Sequence, residues 1–184
     1  MLITDEWIAE HKPCKEARTW WDHKERDAVK IARALIAESK LDWVNWLVTK
    51  VLEHHELVEY AIFAAEQALP IFEEKYPHDK RPREAIDAAK QVLEDDTPKN
   101  RAAAYDAADA ARAAAYAARA AYAARAAAYA AADAAYAAYD AADAAAHATA
   151  RAAYAAYDAA RATDIKTYIR ILEHGIELIE GGAK

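Results

Sequence analysis

Few side chains in this sequence are placed for chemistry, and each set has a plain structural reading. Asp79-Lys80-Arg81-Pro82-Arg83 is the most specific polar cluster. Its arginines stand where a helix begins, and the helix dipole disfavours cations there. Their placement calls for carboxylates from Asp42 or from Glu73-Glu74, or for an anion brought by a partner. Trp20, Trp43 and Trp46, with Asp42 and the Arg81/Arg83 pair, are the candidates for binding a partner or ligand. Together they could line an anion-accepting cleft. His55 and Glu59 are i,i+4 neighbours and could offer two metal ligands, which is too few for a site. They read as part of a polar helix start with a local ion pair. His11 and Cys14 are three apart with Pro13 between them, so Cys14 is expected to be a small buried hydrophobe. The sequence has no glycine-rich phosphate loop, no HExxH and no cysteine pair, and Ser39 is its only serine. The expectation is a non-enzyme with no catalytic residue, no metal and no cofactor.

The elements that must carry these residues are helices. Among 184 residues there are 3 glycines and 5 prolines, too few for a turn-rich β fold. Pro13 opens a helix through Trp20, and Glu25 to Ala37 forms a second with Val29, Ile31, Ala32, Leu35 and Ile36 on its apolar face. Ser39-Lys40 is a break. Leu41 to Lys50 is apolar enough to belong to a core. Glu53 to Tyr76 is a longer helix, with a kink or break expected near Leu69 because of Pro70. Pro82 starts the next. Thr97-Pro98 reads as an N-cap followed by proline at the first helical position. A last helix, capped by Thr163 or Asp164, carries Ile165, Tyr168, Ile169, Leu172, Ile176 and Ile179 back to the core of the first half.

Between them lies an alanine tract with a register. Counting modulo seven from Tyr105 as zero, phases one, two and five from Ala107 to Ala162 are alanine, apart from Thr149. Such a heptad stripe faces a partner helix and lets backbones approach closely. One helix from Pro98 to Ala162 would be roughly 95 Å long. YDAADAA occurs at Tyr105–Ala111 and again at Tyr139–Ala145, an offset that is not a multiple of seven. Two or three antiparallel helices explain that offset better than one rod. Tyr116, Tyr122, Tyr129, Tyr136, Tyr139, Tyr154 and Tyr157 then flank the stripe with hydroxyls in water, or present a Tyr/Arg recognition surface. The fold class expected is all-α: a helical bundle with a closely packed alanine-rich hairpin or arm. Residues 1–98 form a Trp-containing acidic half and residues 99–184 the alanine-rich helices with the C-terminal helix, one continuous domain.

The net charge of −7 arises in the first half, since from Lys99 onward acids and bases balance. That disfavours nucleic acid, which wants a basic stripe, and leaves room for an acidic face meeting a basic protein. No apolar run is long enough for a membrane span, the N-terminus does not read as a signal peptide, and Cys14 has no partner for an intrachain disulfide. A cytoplasmic protein is the expectation. An ice-binding alanine helix would carry regularly spaced threonines, whereas this tract has Thr149 and Thr163 alone.

Pro13-Cys14-Lys15-Glu16-Ala17 followed by Trp20, then Asp42-Trp43 with Trp46-Leu47, then Arg81-Pro82-Arg83 with Ala85-Ile86 and a long Ala/Tyr tract, resemble the Imm-5 family of immunity proteins. The order covers nearly the whole chain. The resemblance implies a small bacterial or phage-borne helical protein that binds and neutralises a toxin effector. It supplies no catalytic residues. The Lys-rich first helices and the Trp20-Trp21 doublet depart from the family pattern. The partner expected is therefore a protein, a toxin effector. Self-association through helix packing stays open.

Overall fold

The computed structural model describes residues 1–21, 24–118, 122–140 and 145–182. Among these residues it is all-α, a packed helical bundle. Ten helices follow one another: α1 (Asp5–His11), α2 (Lys15–Trp20), α3 (Ala28–Ala37), α4 (Leu41–Val51), α5 (His54–Lys75), α6 (Arg81–Glu94), α7 (Pro98–Ala117), α8 (Tyr122–Asp140), α9 (Ala145–Ala162) and α10 (Ile165–Gly182).

Most boundaries follow local chemistry. Asp27 accepts from the Lys30 amide and starts α3, Thr97 accepts from the Asn100 amide ahead of Pro98, and Asp164 accepts from the Thr167 amide. The reciprocal bonds of Glu53 and Glu56 form a capping box on α5. Ser39 leaves α3 with a left-handed φ of 58°.

Three local expectations are corrected. α1 was not foreseen; Thr4 caps it, and Trp7 is its single buried residue. Cys14 is exposed, not buried, because its Sγ accepts from the Ala17 amide at the start of α2. α5 is not broken at Leu69. Pro70 lies on the exposed side, so the Glu66 carbonyl that loses its donor is on the side that water reaches.

The alanine tract is three helices in an antiparallel meander. Tyr105 and Asp109 of α7 meet Tyr136 of α8, and Asp133 and Asp140 of α8 meet Arg151 of α9. The rings of Tyr105 and Tyr139, which open the two copies of the repeated segment, are 4.8 Å apart. Residues 119–121 and 141–144 lie outside the described residues.

α8 is the centre of the molecule. It packs against α7 and α9, and also against α5 and α6 of the first half. Every alanine from Ala124 to Ala138 on it is buried. With four neighbouring helices its alanine faces are closed, while Arg125, Tyr129, Asp133, Tyr139 and Asp140 stay partly exposed, and only a methyl-sized side chain fits at most of the closed positions.

The heptad register survives in part. On α9 the buried alanines Ala152, Ala155, Ala156 and Ala159 fall on phases five, one, two and five. On α8 those phases are buried, but so are the others. On α7 the register fails: Ala104, Ala108, Ala111, Ala114, Ala115 and Ala118 are buried, whereas Ala113, at phase one, is exposed. α7 faces α6 as well as α8, so its buried side is set by two neighbours and not by one seam.

α10 returns to the first-half core, as its aliphatic residues require, and packs on α4, α5 and α3. A Cβ at Gly175 would lie 2.5 Å from Val48 Cγ1 and 2.9 Å from Tyr60 Cε2, so glycine sets how closely these helices approach. Asn45 of α4 joins the two halves. It accepts from the Tyr60 hydroxyl of α5 at 3.0 Å and donates to the Ala153 carbonyl of α9 at 3.1 Å.

The packing predicts a contrast along one register. Ala131→Leu should destabilise by about 1–3 kcal/mol through overpacking, and Ala113→Leu should be near neutral. Urea midpoints of the two variants measure the difference. Equal losses would mean that Ala113 also faces a helix.

Candidate functional site

The predicted site residues separate into two places. Trp20, Trp43 and Trp46 come together, joined by Trp7 and Trp21, where α1 and α2 fold over α3 and α4. Trp20 and Trp43 meet edge to face at 6.5 Å, and Trp7 meets Trp46 at 5.7 Å. Trp20 Nε1 donates to Glu38 at 2.7 Å, and Trp21 Nε1 donates to the Glu25 carbonyl at 2.6 Å. Lys40 pairs with Glu38 at 3.2 Å and lies over the Trp43 ring. The indoles surround an apolar cavity of about 50 Å³.

Arg81 and Arg83 are elsewhere, at the start of α6. Arg81 makes a two-pronged pair with Asp79 at 2.9 and 2.6 Å, and Arg83 does the same with Glu73 at 2.7 and 2.5 Å. These bonds hold both carboxyls below their ordinary range. They also account for cations at a helix start, since each is neutralised by its neighbour. Asp42 joins neither arginine; its Oδ1 lies 3.5 Å from the Tyr168 hydroxyl. The expected cleft, with tryptophans and free arginines facing one anion, is therefore overturned. The Trp cavity has neither arginine in its lining, and both already have carboxylates.

The other sets hold no chemistry either. His11 stacks on Trp7, and its Nδ1 lies 2.9 Å from the Trp7 carbonyl, not against Cys14. His55 is exposed and forms no ion pair with Glu59 among the described residues. No three His, Cys, Asp or Glu side chains converge to hold a metal among the described residues. No helix there is long and apolar enough to cross a membrane.

A polar network inside the alanine helices escaped the sequence reading. Tyr136 is buried, against the expectation of a flanking ring with its hydroxyl in water. Its hydroxyl donates to Asp109 and accepts from Arg112 at 3.2 Å, and Arg151 lies 4.6 Å from its ring centre. Arg151 also donates to Asp133 at 3.1 Å. Tyr154 and Tyr157 do stand in solvent, with Arg161 over the Tyr157 ring. Opposite charges on facing flanks of α8 and α9 were the available signal, and a seam made of alanine alone hid it.

Two carboxyls of this region carry a pH signature. Burial raises Asp133 to about 6 against the pull of Arg151, and burial with Asp133 nearby raises Asp158 to about 7. Both lie above the unfolded value of 3.8. Between that value and neutrality the folded chain binds more protons than the unfolded one. The stability they contribute is present at acid pH and is lost as pH rises through about 6 to 7. Asp158→Asn should therefore flatten the fall in urea midpoint between about pH 5 and pH 8. Parallel curves for the variant and the parent would contradict this.

A family model described as "Imm-5 like putative immunity protein" matches residues 47–179. No curated protein and no solved structure matches the chain. The matched span runs from Leu47 in α4 to Ile179 in α10 and takes in the whole alanine meander and the Arg81/Arg83 pairs. The residues before it include Trp7, Trp20, Trp21, Trp43 and Trp46. With well over half of its length matched, the chain belongs to the Imm-5 like immunity protein family.

Proposed function

We propose that the chain is a non-enzymatic immunity protein of the cytoplasm that binds a toxin effector and neutralises it by occupying its surface. Family membership across residues 47–179 is the observation that carries this reading. The arrangement of side chains is consistent with it. The arginines that looked available for substrate are paired within the chain, and its polar groups build structure. The net charge of −7 favours a partner with a basic face.

The exposed side of α9 is the recognition surface in this proposal. Tyr154 is 58% exposed, Tyr157 46%, and Ile165 at the start of α10 63%. Large rings that remain wet beside an arginine are the residue types that anchor interfaces. Asp42 and Tyr168 border the same region, and α4 carries it toward Trp43 and Trp46. The indole cluster would thus adjoin the bound partner, leaving the Arg83–Glu73 pair to hold α6 to α5 and the Arg81–Asp79 pair to brace the turn before α6.

Co-expression tests it. A toxin encoded beside this gene should stop growth alone and should not when the chain is present. Tyr154→Ala with Tyr157→Ala should abolish the rescue while leaving the circular dichroism and the melting temperature unchanged. Absence of rescue for every adjacent gene, with no protein retained by the purified chain from its host, would overturn the proposal.

A further inference from the structure

The charges of α10 run against its own dipole. A helix is stabilised by acids in its first turn and bases in its last. α10 has no acid in its first turn and no base in its last. Lys166 occupies the first turn instead, and Glu180 the last. At 3.6 residues per turn, Lys166, Arg170, Glu173 and Glu177 fall on one stripe. That stripe lies opposite buried Tyr168, Leu172, Gly175 and Ile179, and all four of its residues are exposed. Its neighbours repel one another: Lys166 and Arg170 are i,i+4 residues of like charge, and so are Glu173 and Glu177.

Little inside the chain answers these charges. Among the described residues Lys166, Arg170 and Glu173 form no ion pair, and Glu177 has only the His174 ring at 3.7 Å. Lys166 lies near the capping Asp164 without pairing with it. Glu180, the next acid along α10, is by contrast tied to Arg33 at 2.7 Å. Where α10 meets α3, a groove of about 350 Å³ is lined by Glu173, Glu177, Ile36, Ile176 and Arg33. Arg33 is already neutralised there, so the groove offers two carboxylates beside an apolar surface. A side chain with an alkyl stem and a cationic head fits such a place.

The stripe complements itself when reversed. Lys166 and Arg170 are four residues apart, about 6 Å, as are Glu173 and Glu177. In an antiparallel pair of α10 helices centred between Ile171 and Leu172, Arg170 stands level with Glu173 of the second copy. Lys166 stands level with Glu177 of the second copy in the same register, and the two-fold axis repeats both pairs. We propose that α10 is the interface of an antiparallel homodimer, with Lys166 and Arg170 of each copy set against Glu173 and Glu177 in the α3–α10 groove of the other. The pairing brings acids to the N-terminal end of each α10 and bases to its C-terminal half, as the dipole requires. It uses neither the alanine seams nor Tyr154 and Tyr157, and it is independent of toxin binding. Exposed ion pairs are individually weak, so the dimer is a weak one that salt dissociates.

Sedimentation equilibrium of the full chain tests it. At about 1 mM and low salt a dimer should be populated, and its dissociation constant should rise at least about tenfold between about 0.05 M and about 0.5 M salt. Glu173→Lys with Glu177→Lys makes the stripe wholly basic, and Lys166→Glu with Arg170→Glu makes it wholly acidic. Each variant alone should be monomeric with unchanged circular dichroism, since all four sites are exposed. An equimolar mixture of the two should form a heterodimer, because the reversed charges match. Should a reversal disturb the helix, Glu173→Gln with Glu177→Gln removes the acids without adding repulsion and should weaken the dimer at least about tenfold. A parent chain that stays monomeric, a dimer that survives the substitutions, or a mixture that stays monomeric would each overturn the proposal.

Discussion

The contact on which this structure depends is the alanine methyl of α8 against neighbouring helices. A larger side chain at most α8 positions would push a neighbouring helix away, and α8 has four such neighbours. Each methyl contributes little on its own, about 0.8 kcal/mol by burial. The repetition of that contact from Ala124 to Ala138, with dispersion gained at close approach, holds the layers together. High alanine propensity keeps α8 helical while it does so.

Methyl contacts do not specify register, because one alanine face slides on another at little cost. The polar groups supply what the methyls lack. Tyr136, with Asp109 and Arg112 from α7 and Arg151 from α9, fixes three helices at one level. Asn45 does the same for α4, α5 and α9. Half-buried charge is destabilising unless paired, so a slipped register would strand Asp133 and Arg151. The first half and α10 contribute the bulky core: Tyr60, Phe72, Leu57, Ile86, Ile171 and Leu172 are fully buried. The function proposed for the chain follows from this division, with a rigid interior and a surface left free to carry tyrosines.

Much of this was legible in the residues. Alanine phases, Thr97-Pro98 and the repeated YDAADAA segment pointed to folded-back helices, and the Tyr105 ring beside that of Tyr139 sets α7 against α8. The carboxylate pairing of Arg83 with Glu73 was among the expected partners; that of Arg81 with Asp79 was closer in sequence than expected. Other features were hidden for physical reasons. A stripe analysis assumes one seam, and α7 and α8 each have several neighbours. The burial of Tyr136 depends on an arginine from a helix that the sequence does not place. The indole cluster was seen, but its separation from Arg81 and Arg83 is a matter of tertiary packing that spacing does not encode. Cys14 was misjudged because a cap uses the sulfur as an acceptor, where burial was the expectation.

The claim that α8 is the hub is tested most directly by residue-resolved amide hydrogen exchange on the intact chain. If α8 is held by all four neighbouring helices, amides from Ala127 to Ala138 should exchange only when the whole molecule unfolds. Their protection should then equal that of the most buried α5 amides, around Val58 to Ala65. Exchange of the α8 amides orders of magnitude faster than those of α5 would contradict the account. It would mean that the alanine helices open as a separate unit and that the core lies in the first half alone.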